Sequence, residues 1–215
     1  MLEIAIAVLA KLFSIVNPIG ALPMYLTLTA NFTDKERRKL VLSTSLYFVG
    51  ILLVFFWAGA YILSFFGLSI NALRIAGGLV ILNSGFALQN DKFNENRGVA
   101  NAKAEEEAEE NAHVEKPDIA FSPLAMPLLS GPGSISLLIG FFAEYEKLEE
   151  RILITGVILT IGLVTFLILR SAPFLYRFLG ASGLKAGSRI MSFITMAIGV
   201  QFIITGIVAL VRSLS

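Results

Sequence analysis

Six stretches of this chain are apolar for long enough to cross a lipid bilayer, and no other feature limits its fold as much. They lie at about 4–30, 40–66, 71–90, 118–142, 151–177 and 187–211. A helix rising 1.5 Å per residue needs about 20 residues to cross roughly 30 Å of hydrocarbon. Lipid offers no partner for backbone N–H and C=O groups, so each stretch is predicted to be a helix. Composition agrees: 56% of residues are hydrophobic and 15% are charged, against about 25% charged in an average soluble domain. The expected fold is an all-α membrane protein of six transmembrane helices. The net charge of +1 argues against a nucleic-acid partner, and the lack of cysteine removes disulfides, thiol redox chemistry and thiolate metal sites. The N-terminal run MLEIAIAVLAKLFSI has an acid and no basic segment ahead of its apolar core. It reads as the first spanning helix rather than a cleaved signal.

The chain divides into a first three-helix unit (1–90), an acidic linker (91–117) and a second three-helix unit (118–215). The linker contains Lys103-Ala104-Glu105-Glu106-Glu107-Ala108-Glu109-Glu110, a composition that cannot bury a core, and His113 has no second histidine to share a metal. Lysine and arginine set the orientation. Lys35, Arg37, Arg38 and Lys39 follow helix 1. Lys92, Arg97, Lys103 and Lys116 lie in the linker, and Arg177, Lys185 and Arg189 follow helix 5. The other side holds only Arg74, Lys147, Arg151 and Arg212. The positive-inside rule then places the linker in the cytoplasm and both termini outside a plasma or inner membrane.

The two units echo each other. Helix 1 contains Asn17-Pro18-Ile19-Gly20-Ala21-Leu22-Pro23, and helix 4 contains Pro127-Leu128-Leu129-Ser130-Gly131-Pro132; both carry Pro-x4-Pro. Each unit closes with a helix containing Arg-Ile, at Arg74-Ile75 and Arg189-Ile190. Three helices per unit is an odd number, so the second unit enters the membrane from the opposite face. The fold class is therefore two inverted three-helix repeats with helices 1 and 4 broken, an arrangement common among secondary transporters.

Proline removes an amide donor and clashes with the preceding turn, and it pushes the residue before it toward extended geometry. Paired prolines with Gly20 between them at one site, and with Ser130, Gly131 and Gly133 at the other, should unwind both helices. Unwound backbone must face protein or a water-filled cavity. Each break creates a half-helix N-terminus, near Pro23 and near Pro132, suited to a carboxylate, and frees carbonyls suited to an ammonium. Asn17 adds an amide, and Ser130 and Ser134 add hydroxyls. Together these groups suit a zwitterion. The expected substrate site is Asn17, Pro18, Gly20, Ala21, Pro23, Ser130, Gly131, Pro132, Gly133, Ser134 and Gln201.

Lys11, Asn83 and Thr205 are candidates for ion coupling or for lining the cavity. Snorkelling and interhelical hydrogen bonding are the plainer roles for them. Gly77, Gly78 and Gly85 suggest close helix packing. No aspartate or glutamate lies inside the six stretches, which weighs against divalent-metal transport. With no cysteine and few catalytic groups, an enzyme is not expected, and neither is a metal or organic cofactor.

These residues resemble the MarC family. The resemblance rests on Phe13-Ser14 with Asn17-Pro18-Ile19-Gly20-Ala21-Leu22-Pro23, and on Arg74-Ile75-Ala76-Gly77-Gly78. It also rests on Ser122-Pro123-Leu124-Ala125-Met126-Pro127 with Gly131-Pro132-Gly133-Ser134, and on Val200-Gln201-Phe202. It covers nearly the whole chain apart from the linker. The chain looks like the SnatA branch, which implies a transporter of small neutral amino acids such as glycine and alanine. In the run Gln201-Phe202-Ile203-Ile204-Thr205-Gly206, Thr205 stands where family members often carry an acid.

The expected function is a secondary transporter of small neutral amino acids, glycine and alanine with serine and threonine as further candidates, with alternating access around the two breaks and a proton or sodium ion as the coupling partner. Small residues at the breaks leave little room for a large side chain. Two alternatives stay open: a passive channel or facilitator for small polar solutes, and a structural or regulatory membrane protein.

Overall fold

The apolar stretches do fold as helices, and every regular element among the described residues is helical. The structure, a computed structural model, describes residues 1–89 and 118–214; the acidic linker and His113 lie outside them. The elements are α1 (Leu2–Val16), α2 (Leu22–Leu28), α3 (Asp34–Phe65), α4 (Ile70–Gln89), α5 (Ala120–Leu129), α6 (Pro132–Glu144), α7 (Leu148–Arg170) and α8 (Ala172–Leu214). Four helical segments are long and apolar enough to cross a membrane: Asp34–Gly59, Ile70–Ala87, Leu148–Arg170 and Ser182–Arg212. The pair α5 and α6, bent by 63°, makes a fifth if counted as one span.

Helix boundaries follow local chemistry. Thr33 and Glu36 close a reciprocal capping box at the start of α3, the Thr33 Oγ1 accepting from the Glu36 amide (3.4 Å) and the Glu36 carboxylate accepting from the Thr33 amide (2.8 Å). In the stretch 118–142, expected to break at Pro127 and Pro132, the irregularity begins earlier, and α5 is wide and irregular. Ser122 (φ −126°, ψ 124°) and Met126 (φ −135°, ψ 126°) are extended, because each precedes a proline whose ring disfavours helical geometry before it. The fifth and sixth helices also divide earlier than expected. α7 ends at Arg170, Ser171 caps it, and Pro173 stands in the first turn of α8. Arg177, Lys185 and Arg189, expected in a loop, therefore lie within α8. That helix bends at Gly180, whose φ of 65° and ψ of 178° only glycine adopts without strain.

The core gathers around α3, α6 and α7. Phe48, Leu52 and Phe56 of α3 meet Leu137, Leu138 and Phe141 of α6 and Ile154, Ile158 and Ile161 of α7 in one buried cluster. The outward faces of the long helices are also apolar: Leu46, Val54, Ile152, Leu163, Ile190 and Phe193 are each more than half exposed. A water-soluble fold would cover such rows. Hydrocarbon solvates them without cost.

α4 and α8 pack antiparallel at backbone distance. A Cβ on Gly78 would stand 2.7 Å from the Gly199 carbonyl oxygen, and one on Gly199 would stand 2.8 Å from that of Gly78. One on Gly85 would meet the Ser192 carbonyl at 3.0 Å, and one on Gly206 the Asn71 carbonyl at 3.0 Å. Each contact recurs with the two helices exchanged. Small residues every seventh position allow this approach, and dispersion between the backbones holds it.

Candidate functional site at two helix breaks

α1 stops at Val16 because Asn17 turns left-handed (φ 45°, ψ 60°), a conformation that asparagine tolerates better than most residues. The chain then makes a compact turn. The Gly20 amide donates to Asn17 Oδ1 (3.0 Å), the Ala21 amide to the Asn17 carbonyl (3.2 Å), and the Leu22 amide to the Ile19 carbonyl (3.2 Å). Three amides expected to be free at this break are thus engaged by the turn itself. Pro23 occupies the first turn of α2, where it has no amide to leave unpaired. A Cβ on Gly20 would collide with the Asn17 side-chain amide, so the turn needs glycine there.

The second break is built differently. Ser130 follows α5, its amide donating to the Ala125 carbonyl (2.8 Å). Gly131 is extended, and Pro132 opens α6. Ser134 Oγ donates to the Gly131 carbonyl (2.9 Å), and the Ile135 amide reaches the same oxygen (3.3 Å). The first-turn amides of Gly133 and Ser134 have no preceding turn to bond.

The fold brings the two regions together. A Cβ on Gly133 would lie 3.4 Å from the Ile15 methyl, two residues before Asn17. α8 flanks the same end of α1: Thr195 Oγ1 lies 2.7 Å from the Ser14 carbonyl and 2.8 Å from that of Met191. Asn17, Pro18, Ala21, Ser130, Gly133 and Ser134 are buried, Gly20 and Gly131 are half-buried, and Pro23 and Pro132 are exposed.

Two polar atoms, one at each break, are buried without a hydrogen-bond partner: Asn17 Nδ2 and Ser130 Oγ. Leaving such a group unpaired in an apolar interior costs about 1–3 kcal/mol. Three hydroxyls that the sequence reading passed over share this condition, Thr44 and Ser45 on α3 and Thr165 on α7. The signal was present: Ser43-Thr44-Ser45 is a run of three hydroxyls in an otherwise apolar helix.

The remaining candidates lie elsewhere. Gln201 and Thr205 are exposed on α8 and pair with each other, Gln201 Nε2 donating to Thr205 Oγ1 at 3.4 Å and that hydroxyl donating to the Gln201 carbonyl at 2.8 Å. Asn83 is exposed on α4. Lys11 is half-buried, its ammonium 5.5 Å from the Phe141 ring centre, a cation–π contact across α1 and α6. Among the described residues no three His, Cys, Asp or Glu side chains gather as metal ligands would.

Two arginines secure the half-helices that follow the breaks. Arg37 donates to the Thr29 carbonyl through Nε (3.0 Å) and Nη2 (2.8 Å), just past the end of α2. Arg151 donates to the Tyr145 carbonyl through Nε (3.0 Å) and to the Phe142 carbonyl through Nη2 (3.2 Å), at the end of α6. A helix C-terminus presents unsatisfied carbonyls and partial negative charge, which a guanidinium complements.

Comparison with known proteins follows the same residues end to end. The model of the MarC family integral membrane proteins matches residues 2–211. A membrane protein of Methanocaldococcus jannaschii is 38% identical over 207 residues, covering 96% of this chain and 97% of its own. A membrane protein of Buchnera aphidicola is 35% identical over 209 residues, 97% of this chain and 94% of its own. The inner membrane protein MarC of Escherichia coli is 33% identical over 211 residues, 95% of this chain and 94% of its own. No solved structure matches the chain. With apolar helices sheathed in exposed leucine, isoleucine and phenylalanine, and with the match running nearly from end to end, the chain belongs to the MarC family of integral membrane proteins.

Proposed function

We propose that this protein is a secondary transporter of small neutral amino acids, glycine and alanine first, with serine and threonine as larger substrates. The observation that carries the reading is the pair of buried, unpartnered polar atoms, Asn17 Nδ2 and Ser130 Oγ, one at each helix break. An amide donor at the first break, and at the second a hydroxyl beside the first-turn amides of Gly133 and Ser134, suit a carboxylate at one end of a small solute. Carbonyls released by the breaks suit its ammonium. The small residues around them, Gly20, Ala21, Gly131 and Gly133, fit a short side chain.

In this reading the chain is two inverted repeats of three spans, helix 1 being α1 with α2 and helix 4 being α5 with α6. Two matched features support it. Arg37 and Arg151 each stand fourth in the long helix after a half-helix and cap that half-helix. The contacts between α4 and α8 repeat when the helices are exchanged, as a two-fold axis between Gly78 and Gly199 would require. Alternating access would rock one repeat against the other, driven by a proton or sodium gradient, in an inner membrane as named for the Escherichia coli relative. Both termini would lie outside and the linker in the cytoplasm.

Uptake of labelled glycine and alanine into liposomes containing the purified chain tests the proposal. Saturable, concentrative uptake driven by one imposed gradient and blocked by unlabelled alanine supports a coupled carrier. Linear, non-saturating flux would move the assignment to a passive facilitator. Absence of flux from folded protein would favour a structural or regulatory role.

A further inference from the structure

A cavity of about 430 Å³ opens where the start of α3 meets the end of α7, with Tyr25 of α2 on its wall. Asp34, Arg37 and Arg38 of α3 and Arg170 of α7 line it, with Val41 and Leu167 as apolar walls. Three guanidiniums face one carboxylate there. Arg37 is committed to the Thr29 and Ala30 carbonyls. Arg38 and Arg170 are exposed, and among the described residues neither takes part in an ion pair or hydrogen bond.

The depth of this cavity identifies its ligand. One candidate membrane span begins at Asp34 and another ends at Arg170. The cationic rim therefore sits where hydrocarbon gives way to headgroups, and the Val41 and Leu167 walls continue toward the acyl region. Guanidinium is the side chain best matched to a phosphate, through paired and parallel hydrogen bonds. Basic pockets between transmembrane helices at this level are suited to anionic headgroups.

We propose that this cavity is a binding site for the phosphodiester headgroup of an anionic phospholipid, held by Arg38 and Arg170. The first acyl carbons rest against Val41 and Leu167. Asp34 opposes the phosphate and limits its affinity. Because the site joins the start of α3 to the end of α7, a bound lipid ties the two long helices together at the membrane surface. The site is independent of what the protein transports.

Titrating dioleoylphosphatidylglycerol into the full-length chain in dodecyl maltoside, with melting temperature as the readout, tests this. The anionic lipid should raise the melting temperature saturably, and dioleoylphosphatidylcholine should not. R38Q/R170Q should need roughly 25-fold more anionic lipid for the same shift, about fivefold for each guanidinium at a membrane surface. K147Q, an exposed lysine outside the cavity, should titrate like wild type. D34N should move half-saturation to lower lipid. Equal shifts from both lipids, or an unchanged titration in R38Q/R170Q, would overturn the proposal. So would a full shift from 10 mM inorganic phosphate, which would assign the cavity to a free anion. If R38Q/R170Q does not fold, D34N decides: an unchanged half-saturation overturns the site.

Discussion

Arg37 and Arg151 hold the same place in two different helices: each is the fourth residue, of α3 and α7 respectively, and each turns its guanidinium back onto the carbonyls that end the preceding half-helix. Arg151 also lies 3.8 Å from the Phe142 ring centre. Hydrogen bonds from charged donors to carbonyls contribute about 1.5–3 kcal/mol. R37Q and R151Q should each lower the melting temperature in detergent, by comparable amounts. Lysine at either position should recover only part of the loss, because an ammonium cannot present two parallel donors from one planar group. Melting unchanged in both variants would remove this support for a repeated half-helix.

Ser130 offers a separation of folding from ligand binding. Its hydroxyl is buried with no partner, so S130A removes an unsatisfied group and should leave stability unchanged or raise it by up to about 1 kcal/mol. If that hydroxyl meets substrate, the same variant should raise the KM for alanine uptake about tenfold. Normal uptake by S130A would dissociate Ser130 from the site.

Asn17 combines two roles that substitution can divide. Its left-handed backbone disfavours alanine by about 1–2 kcal/mol, whereas glycine adopts that conformation freely. N17G should therefore melt closer to wild type than N17A. Both variants lose the side-chain amide, so both should lose uptake. Uptake retained in N17G would show the amide to be needed only for the turn.

The glycines of the α4–α8 contact should be intolerant of any side chain. G78A and G199A each set a methyl against backbone at under 3 Å, and overpacking of this kind costs about 1–3 kcal/mol. Gly50 and Gly156 have no other group within 4 Å of an added Cβ. G50A and G156A should be neutral or stabilising by up to about 1 kcal/mol, the usual gain of alanine over glycine in a helix. Thermal melts of the four variants compare the two classes directly.

Thr195 ties α8 to α1 through the Ser14 carbonyl, 181 residues away. Its replacement by valine keeps the shape and removes the donor. Hydrogen bonds between membrane helices average about 0.6 kcal/mol, so T195V should lower the melting temperature only slightly. A large fall would mean that the bond organises more of the α1–α8 contact than its own strength accounts for.

The sequence by itself determined the solvent, the helical class and the position of the first break. These are local matters: lipid forces each apolar run to satisfy its own backbone, and Asn17 ahead of Pro18 ends a helix whatever surrounds it. It also marked where helix 4 would fail, though Pro123 extends the irregularity further back than the Pro127 and Pro132 pair suggested. Local chemistry could not say which polar side chains would lie inside. Gln201, Thr205 and Asn83 fall within apolar helices, yet rotation about each helix axis turns them outward, while Thr44, Ser45 and Thr165 turn inward. That rotation is set by packing between residues far apart in the chain, such as Gly78 on Gly199 and Thr195 on Ser14. Only the tertiary structure brought Arg38 and Arg170 to one cavity, because the antiparallel course of α3 and α7 places the start of one helix beside the end of the other.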